Sequence, residues 1–258
     1  MVRKVIAFDL DGTLAPSKSP LPDRMGAALN NLLAKYQVCV ISGGKFEQFE
    51  KQLLGNLAAE PARLVKLHLM PTCGTQYYRY DKTKDNWHKV YSEDFNEGQK
   101  TEIIKALKQA VDHFDMHEKK VYGETIEDRG SQISWSALGQ DIVDELGQEG
   151  VRMKEDWDPD NKKKLKLVDY LSPILEEFEV RAGGTTTIDI TKKGIDKAYG
   201  MRKIMEMLDI PKEAIFFIGD RVIEGGNDYP VKQMGIDTMQ ISDWKETATA
   251  VEAIVNVT

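Results

Sequence analysis

The chain has 258 residues, of which 42 are acidic and 35 basic, so its formal net charge is -7. Its composition, with 41% hydrophobic and 30% charged residues, excludes a disordered chain, and its length allows one or two domains. The acidic balance argues against a nucleic-acid partner, and no apolar run reaches the roughly 20 residues that span a bilayer. Only two cysteines occur, without a paired spacing, so we expect a cytoplasmic protein with no membrane partner.

The first part of the chain alternates short apolar runs with segments of helical spacing. The predicted elements in chain order are a strand over 5–8, a helix over 25–36, a strand over 38–41 and a helix over 46–54. This alternation predicts a parallel sheet with helices on its faces. In that architecture ligands bind beyond the carboxyl ends of the strands.

The pattern changes between about residues 85 and 190 and then returns to alternation. The middle segment predicts helices over 100–114 and 163–178 and strands over 132–136 and 185–190. The last segment predicts a helix over 196–208, a buried strand over 214–218 and a helix over 228–234. We therefore predict a Rossmann-like α/β core formed by residues 1–84 and 191–258, interrupted by an inserted α+β cap domain of residues 85–190.

Two acidic residues, Asp9 and Asp11, follow the first predicted strand in the run Asp-Leu-Asp-Gly-Thr. If the backbone bends after Asp9, its carboxylate can attack a phosphorus atom while Asp11 moves a proton at the bridging oxygen. Two anions beside a phosphate require a divalent cation, and Mg²⁺ prefers carboxylate and phosphate oxygens. An ordinary acidic surface turn is the alternative interpretation of this run taken alone.

Three later segments offer groups that complement this pair. Ser42 precedes Gly43 and Gly44, and together they present a hydroxyl and backbone N–H groups that suit a phosphate. Lys197 opens a predicted helix and could neutralise phosphate charge. The acids after the last buried strand could complete a cation shell, and they are Asp220 and Asp228.

In this order the four segments resemble the motifs of the haloacid dehalogenase superfamily of phosphotransferases. The resemblance implies that Asp9 is the nucleophile that becomes a phosphoaspartate and that Asp11 is the general acid and base. It also implies that Ser42 binds the phosphoryl group and that Lys197 neutralises its charge. The implied Mg²⁺ ligands are Asp9, the backbone carbonyl of Asp11, Asp220 and, directly or through water, Asp228.

The predicted insertion lies between the second and third motifs, as in the subfamily that carries a C2-type cap. Within that subfamily the chain resembles the eukaryotic-type phosphomannomutases. The segments that carry this likeness are 43–47, 52–56, 126–130, 183–189, 194–197 and 225–228. The likeness implies substrate-binding roles for Gly43, Gly44, Arg129, Thr187 and Asp189, and it leaves open a homodimer through the cap.

The cap decides which reaction to expect. A mutase must hold a bisphosphorylated sugar in two orientations, so its cap requires several arginines. Arg129 resembles one of them, but Gln140 stands where the mutase pattern has Arg. We therefore expect hydrolysis of a small sugar phosphate, with phosphomannomutase activity as the alternative. A non-catalytic phosphosugar-binding protein is a third hypothesis, which the presence of all the motif residues disfavours.

Overall fold

The computed structural model describes residues 3–257, which form two compact units. The first unit runs to Ser92 and resumes at Ile195, and the second comprises Glu93–Gly194. In chain order the elements are β1 (Val5–Phe8), α1 (Asp23–Lys35), β2 (Gln37–Ile41), α2 (Phe46–Gln52), α3 (Pro61–Leu64), β3 (Leu67–Met70), β4 (Gln76–Asp81), β5 (Asn86–Ser92), α4 (Glu97–His113), β6 (Ile126–Asp128), β7 (Gln132–Ser136), α5 (Ile142–Leu146), α6 (Gln148–Trp157), α7 (Lys162–Leu171), β8 (Phe178–Ala182), β9 (Thr187–Lys192), α8 (Lys197–Leu208), β10 (Ile215–Gly219), α9 (Tyr229–Gln233), β11 (Asp237–Gln240) and α10 (Trp244–Val257). Within residues 3–257, no helix combines the length and the apolarity needed to cross a membrane.

The first unit is built on a seven-stranded sheet in the order β11-β10-β1-β2-β3-β4-β5. The five strands from β11 to β3 pair in parallel, as predicted from the alternation of strands and helices. Every residue of β1 is buried because both faces of the sheet are covered. Ile6 and Phe8 belong to one apolar cluster, whereas Val5 and Ala7 belong to the cluster on the other face. The predicted Rossmann-like fold class is confirmed.

The edge of this sheet extends past the predicted domain boundary at residue 84. Strands β4 and β5 form an antiparallel hairpin, in which Gln76 pairs with Ser92 and Asp81 pairs with Asn86. Residue 84 therefore lies in the turn of a hairpin that belongs to the core sheet. Periodicity did not predict β5 because most of its residues are exposed or half-buried, which leaves no apolar alternation.

The second unit contains a four-stranded antiparallel sheet in the order β6-β7-β9-β8. Its apolar cluster joins Ile133 and Trp135 of β7 to residues of α4 and α7. The helix predicted over 163–178 is too long, since α7 ends at Leu171 and Phe178 begins β8. Pro173 explains this end, because proline has no backbone N–H with which to continue the helix.

Candidate active site

Three of the predicted residues lie directly beyond the ends of adjacent parallel strands. Asp9 follows β1, Ser42 follows β2 and Asp220 follows β10. Because β1 pairs with β10 on one side and β2 on the other, these carboxyl ends lie side by side. Asp9 and Ser42 are buried and Asp220 is half-buried, and all three lie at the carboxyl ends of central strands of the sheet.

Lys197, the first residue of α8, lies between two carboxylates. Its Nζ donates to Asp9 Oδ1 over 2.5 Å and to Asp228 Oδ1 over 2.6 Å. The second oxygen of Asp228, Oδ2, accepts the backbone N–H of Arg221 over 3.0 Å. Lys197 is 1% exposed and Asp228 is 0% exposed, so this ion-pair triad is shielded from water.

Close packing at Gly200 fixes the position of α8 and hence of Lys197. A Cβ atom at residue 200 would lie 2.2 Å from Ile41 Cδ1 and 2.9 Å from the backbone oxygen of Cys73. A Cβ atom at Gly74, whose φ is +86°, would lie 2.5 Å from the Cα of Gly200. Two glycines in contact therefore let the first turn of α8 approach the end of β2.

The charges of this cluster shift the ionisation of its members. Burial raises the pKa of Asp9 to about 7, although the ammonium of Lys197 opposes the shift. Burial also raises the pKa of Asp220, and the carboxylate of Asp228 adds to the rise. For Lys197, burial alone would lower the pKa, but the charges of Asp9 and Asp228 outweigh it and raise the pKa.

Asp9, Asp220 and Asp228 form a set of donors for a cation. Each offers a carboxylate oxygen, and these atoms lie within 4.8 Å of one another. Gly12 allows this approach, because a Cβ atom there would lie 2.7 Å from Asp220 Oδ2 and its φ of +79° suits glycine. Three carboxylates exceed the nearby positive charges, which are the ammonium of Lys197 and the guanidinium of Arg221, 4.0 Å from Asp220. This donor set fits a hard divalent cation.

The carboxylate of Asp11 is held by a separate set of donors. Its Oδ1 accepts the backbone N–H of Lys18 over 2.8 Å and Nε2 of Gln52 over 3.1 Å. Its Oδ2 accepts Nε2 of Gln48 over 2.8 Å. The sequence analysis did not identify Gln48 or Gln52 as site residues. The available signal was two amides four residues apart, which a helix places on one face.

The segment from Ser42 to Gly44 forms a tight loop before α2. The side-chain Oγ of Ser42 accepts the backbone N–H of Gly44 over 3.2 Å, and the backbone oxygen of Ser42 accepts the N–H of Cys73 over 2.9 Å. The helix α2 begins only at Phe46, after Lys45 as its N-cap. The loop therefore lies just before the N-terminus of α2.

The predicted cap residues lie in the second unit, on and beside its antiparallel sheet. Asp189 of β9 accepts a hydrogen bond from Ser134 Oγ over 2.6 Å at its Oδ1. Arg129 donates from Nε to Glu127 Oε2 over 2.7 Å, so part of its charge is already paired. Thr187 begins β9, two residues before Asp189, on the same side of the strand.

One further basic residue lies on the face of the antiparallel sheet that carries Asp189. Arg181 of β8 is the cross-strand partner of Asp189, so the two side chains leave the sheet on the same side. The sequence analysis did not identify it because the helix predicted over 163–178 extended to the first residue of β8, and no strand was predicted over the residues that follow. Strand alternation over Phe178–Ala182 was the available signal.

Comparisons with known proteins identify the family from the sequence and show the same fold among solved structures. The sequence profile of the haloacid dehalogenase-like hydrolases matches residues 6–231. A phosphomannomutase of Encephalitozoon cuniculi is 28% identical over 236 residues, which cover 89% of this chain and 84% of that protein. The structure of an IMP-nucleotidase of Plasmodium falciparum with IMP bound aligns with a TM-score of 0.67 at 16% identity, covering 99% of this chain and 68% of that one. A haloacid dehalogenase-like hydrolase of Bacteroides thetaiotaomicron aligns with a TM-score of 0.62 at 16% identity, covering 98% and 99% of the two chains.

Proposed function

The chain belongs to the haloacid dehalogenase-like hydrolase family and is a phosphoryl-transfer enzyme, and we propose that it hydrolyses a small sugar phosphate through a phosphoaspartate on Asp9. The observation that carries this proposal is the ion-pair triad. Lys197 bridges Asp9 and Asp228 at the ends of the central strands, inside a shielded cluster. A buried carboxylate held by an ammonium beside further acids is the arrangement that a phosphoryl acceptor requires.

The proposed reaction has two steps. In the first, an Asp9 oxygen attacks phosphorus, the bond from phosphorus to the sugar oxygen breaks, and Asp11 gives its proton to that oxygen. In the second, Asp11 takes a proton from water, the water oxygen attacks phosphorus, and the bond to Asp9 breaks to release inorganic phosphate. Ser42 and Gly43 hold the phosphoryl oxygens by hydrogen bonds, and Lys197 reduces the repulsion between nucleophile and phosphate.

Magnesium is the cofactor that we propose for this site. The candidate ligands are carboxylate oxygens of Asp9 and Asp220, with Asp228 beside them and, from the family resemblance, the backbone carbonyl of Asp11. Both oxygens of Asp228 already accept hydrogen bonds, which favours a supporting role through water. When bound, Mg²⁺ would neutralise charge on the phosphoryl oxygens.

The cap residues support hydrolysis as the first candidate. Arg129 is paired with Glu127, and Gln140 replaces an arginine of the mutase pattern, so these two positions offer less positive charge for a second phosphate than the mutase pattern does. We propose that Thr187 and Asp189 bind hydroxyl groups of the sugar. A reducing cytoplasm as the location and a homodimer through the cap are further proposals.

Mutase activity is the second candidate, and two observations favour it. The curated relatives that span most of this chain, such as the one from Encephalitozoon cuniculi, are named phosphomannomutases. Arg181 also adds a basic residue to the cap face that carries Asp189. Together with Arg129 it could supply part of the grip on a second phosphate.

Phosphate release tests the proposal directly. The purified protein is assayed with Mg²⁺ against a panel of hexose and pentose phosphates, with IMP as a substrate of a different class. We expect turnover of at least one sugar phosphate and loss of turnover in Asp9→Asn. Full activity of Asp9→Asn would refute the assignment of the nucleophile, and turnover of IMP alone would refute the sugar-phosphate class.

A second assay separates the two reactions. Mannose 1-phosphate is supplied with a catalytic amount of hexose 1,6-bisphosphate, and both the 6-phosphate and free phosphate are measured. We expect free phosphate from a hydrolase. Formation of the 6-phosphate without free phosphate would overturn the preference for hydrolysis and establish the mutase.

A further inference from the structure

The carboxylate of Asp11 is held by two glutamines of α2 in addition to a backbone group. Gln48 and Gln52 are four residues apart, so the helix presents both amides on one face. Gln48 Nε2 also donates to Gln52 Oε1 over 2.9 Å, which links the two amides to each other. The three donors to Asp11 therefore come from two segments of the chain, the loop at Lys18 and the helix α2.

The two oxygens of Asp11 differ in their donors. Oδ1 accepts from the backbone N–H of Lys18 and from Nε2 of Gln52. Among the described residues, Oδ2 receives its hydrogen bond from Gln48 alone. Gln48 Nε2 donates to Gln52 Oε1 as well, so both hydrogens of this amide are used and its orientation is fixed. The position of Oδ2 therefore depends on Gln48.

The second glycine of the Ser42–Gly44 loop has a role in this arrangement. A Cβ atom at Gly44 would lie 2.0 Å from Gln48 Oε1, whereas a Cβ atom at Gly43 would meet nothing within 4 Å. Any side chain at residue 44 must therefore displace the amide of Gln48 from its present place. Gly44 is required so that Gln48 can reach Asp11.

We propose that Gln48 is a positioning residue for the general acid and base, holding Oδ2 of Asp11 in place for proton transfer. This inference rests on the proposed function, because it assigns Gln48 to the proton-transfer step of that reaction. Gln48 Nε2 donates to Oδ2 and so fixes the direction in which the carboxylate of Asp11 faces. Loss of this contact would misplace the carboxylate relative to the reacting oxygen.

Gln52 is less suitable for the test because it also supports the fold. Its backbone oxygen accepts the N–H of Leu21 over 2.7 Å, and its side chain is buried. Gln48 is half-buried, so replacing it removes the contact to Asp11 with less effect on the core. Glu50 is an exposed residue of the same helix and provides the matched control.

The test compares substrates whose leaving groups differ in their need for a proton. p-Nitrophenolate leaves without protonation, whereas a sugar alkoxide requires a proton from Asp11. Gln48→Met and the control Glu50→Met are assayed on p-nitrophenyl phosphate and on the best sugar phosphate of the panel. The ratio kcat/KM reports the first step alone, which ends in phosphoenzyme, and kcat includes the attack of water.

We expect Gln48→Met to lose about 10- to 100-fold in kcat/KM on the sugar phosphate, the range that misplacing a catalytic group costs. Its kcat/KM on p-nitrophenyl phosphate should stay within about 3-fold of wild type, while kcat falls because water activation also uses Asp11. Gly44→Ala should also lower kcat/KM on the sugar phosphate, since its Cβ displaces Gln48. Glu50→Met should match the wild type on both substrates.

Two results would overturn the inference while leaving the proposed function intact. The first is an active wild type with an unchanged Gln48→Met. The second is an equal loss of kcat/KM on both substrates in Gln48→Met, which would indicate a general structural effect. If the wild type turns over only p-nitrophenyl phosphate, an unchanged kcat in Gln48→Met overturns the inference. A wild type with no turnover of either substrate refutes the proposed function and this inference with it.

Discussion

Replacing Lys197 by methionine tests whether its ammonium holds the site together. The substitution removes the ammonium that donates to two buried carboxylates, over 2.5 Å to Asp9 and 2.6 Å to Asp228. Removing one partner of a buried ion pair costs about 3–5 kcal/mol, because the other partner is left uncompensated. Asp9 can recover part of this cost by taking up a proton, since its pKa is already raised to about 7. We therefore expect a loss of about 3 kcal/mol in the free energy of unfolding.

Urea unfolding at pH 7.5, followed by far-UV circular dichroism, measures this loss without a substrate. The matched control is the double variant Lys197→Met/Asp228→Asn, in which the uncompensated carboxylate of Asp228 is also removed. We expect it to be more stable than Lys197→Met by about 1 kcal/mol or more, which is the minimum desolvation penalty of an unpaired buried group. A loss below about 1 kcal/mol in the single variant, or no gain in the double variant, would contradict the argument.

Three further predictions concern packing, the cation and pH. Gly200→Ala should cost about 1–3 kcal/mol in the free energy of unfolding, because its Cβ meets Ile41. It should also lower kcat, because the same contact moves α8. A kcat equal to wild type would contradict this. EDTA should abolish phosphate release, and added Mg²⁺ should restore it. Asp220→Asn should require more Mg²⁺ than the wild type for its half-maximal rate. An Mg²⁺ requirement equal to that of the wild type would remove Asp220 from the ligand set. Burial lowers the pKa of His68 from 6.5 to about 3. As the pH falls below 6.5, His68 therefore takes up a proton in the unfolded chain but not in the folded one, and the free energy of unfolding decreases. Between pH 7 and pH 5 we expect His68 to contribute a loss of about 2 kcal/mol that is absent in His68→Asn, measured by urea unfolding at both pH values.

The convergence of the strand ends could be predicted from the sequence because it depends on general rules. Buried apolar runs separated by helical segments predict parallel strands, and the carboxyl ends of neighbouring parallel strands lie together. Asp9, Ser42 and Asp220 each follow such a run directly, so their proximity required no knowledge of side-chain contacts. Lys197 is different, because its place depends on how closely α8 packs, and that follows from the contact of Gly74 with Gly200.

Features that depend on side-chain contacts far apart in the chain were not predicted. Gln48 and Gln52 reach Asp11 across about 40 residues of sequence, and no periodic pattern distinguishes two amides from ordinary polar positions on a helix. The hairpin of β4 and β5 was missed for a related reason. Its outer strand has little apolar surface, so pairing with β4 alone defines it.

The charge balance of the site connects the nucleophile to the cation. Asp9 must be ionised to attack phosphorus, yet burial and the carboxylate of Asp228 raise its pKa to about 7 even with Lys197 in contact. Beside these three carboxylates the described residues place the ammonium of Lys197 and, 4.0 Å from Asp220, the guanidinium of the exposed Arg221, so negative charge is in excess. A divalent cation beside these oxygens would favour the ionised form of Asp9. The proposed requirement for a metal and the activation of the nucleophile therefore have the same physical origin, the burial of Asp9 and Asp228 beside Lys197 with Asp220 close by.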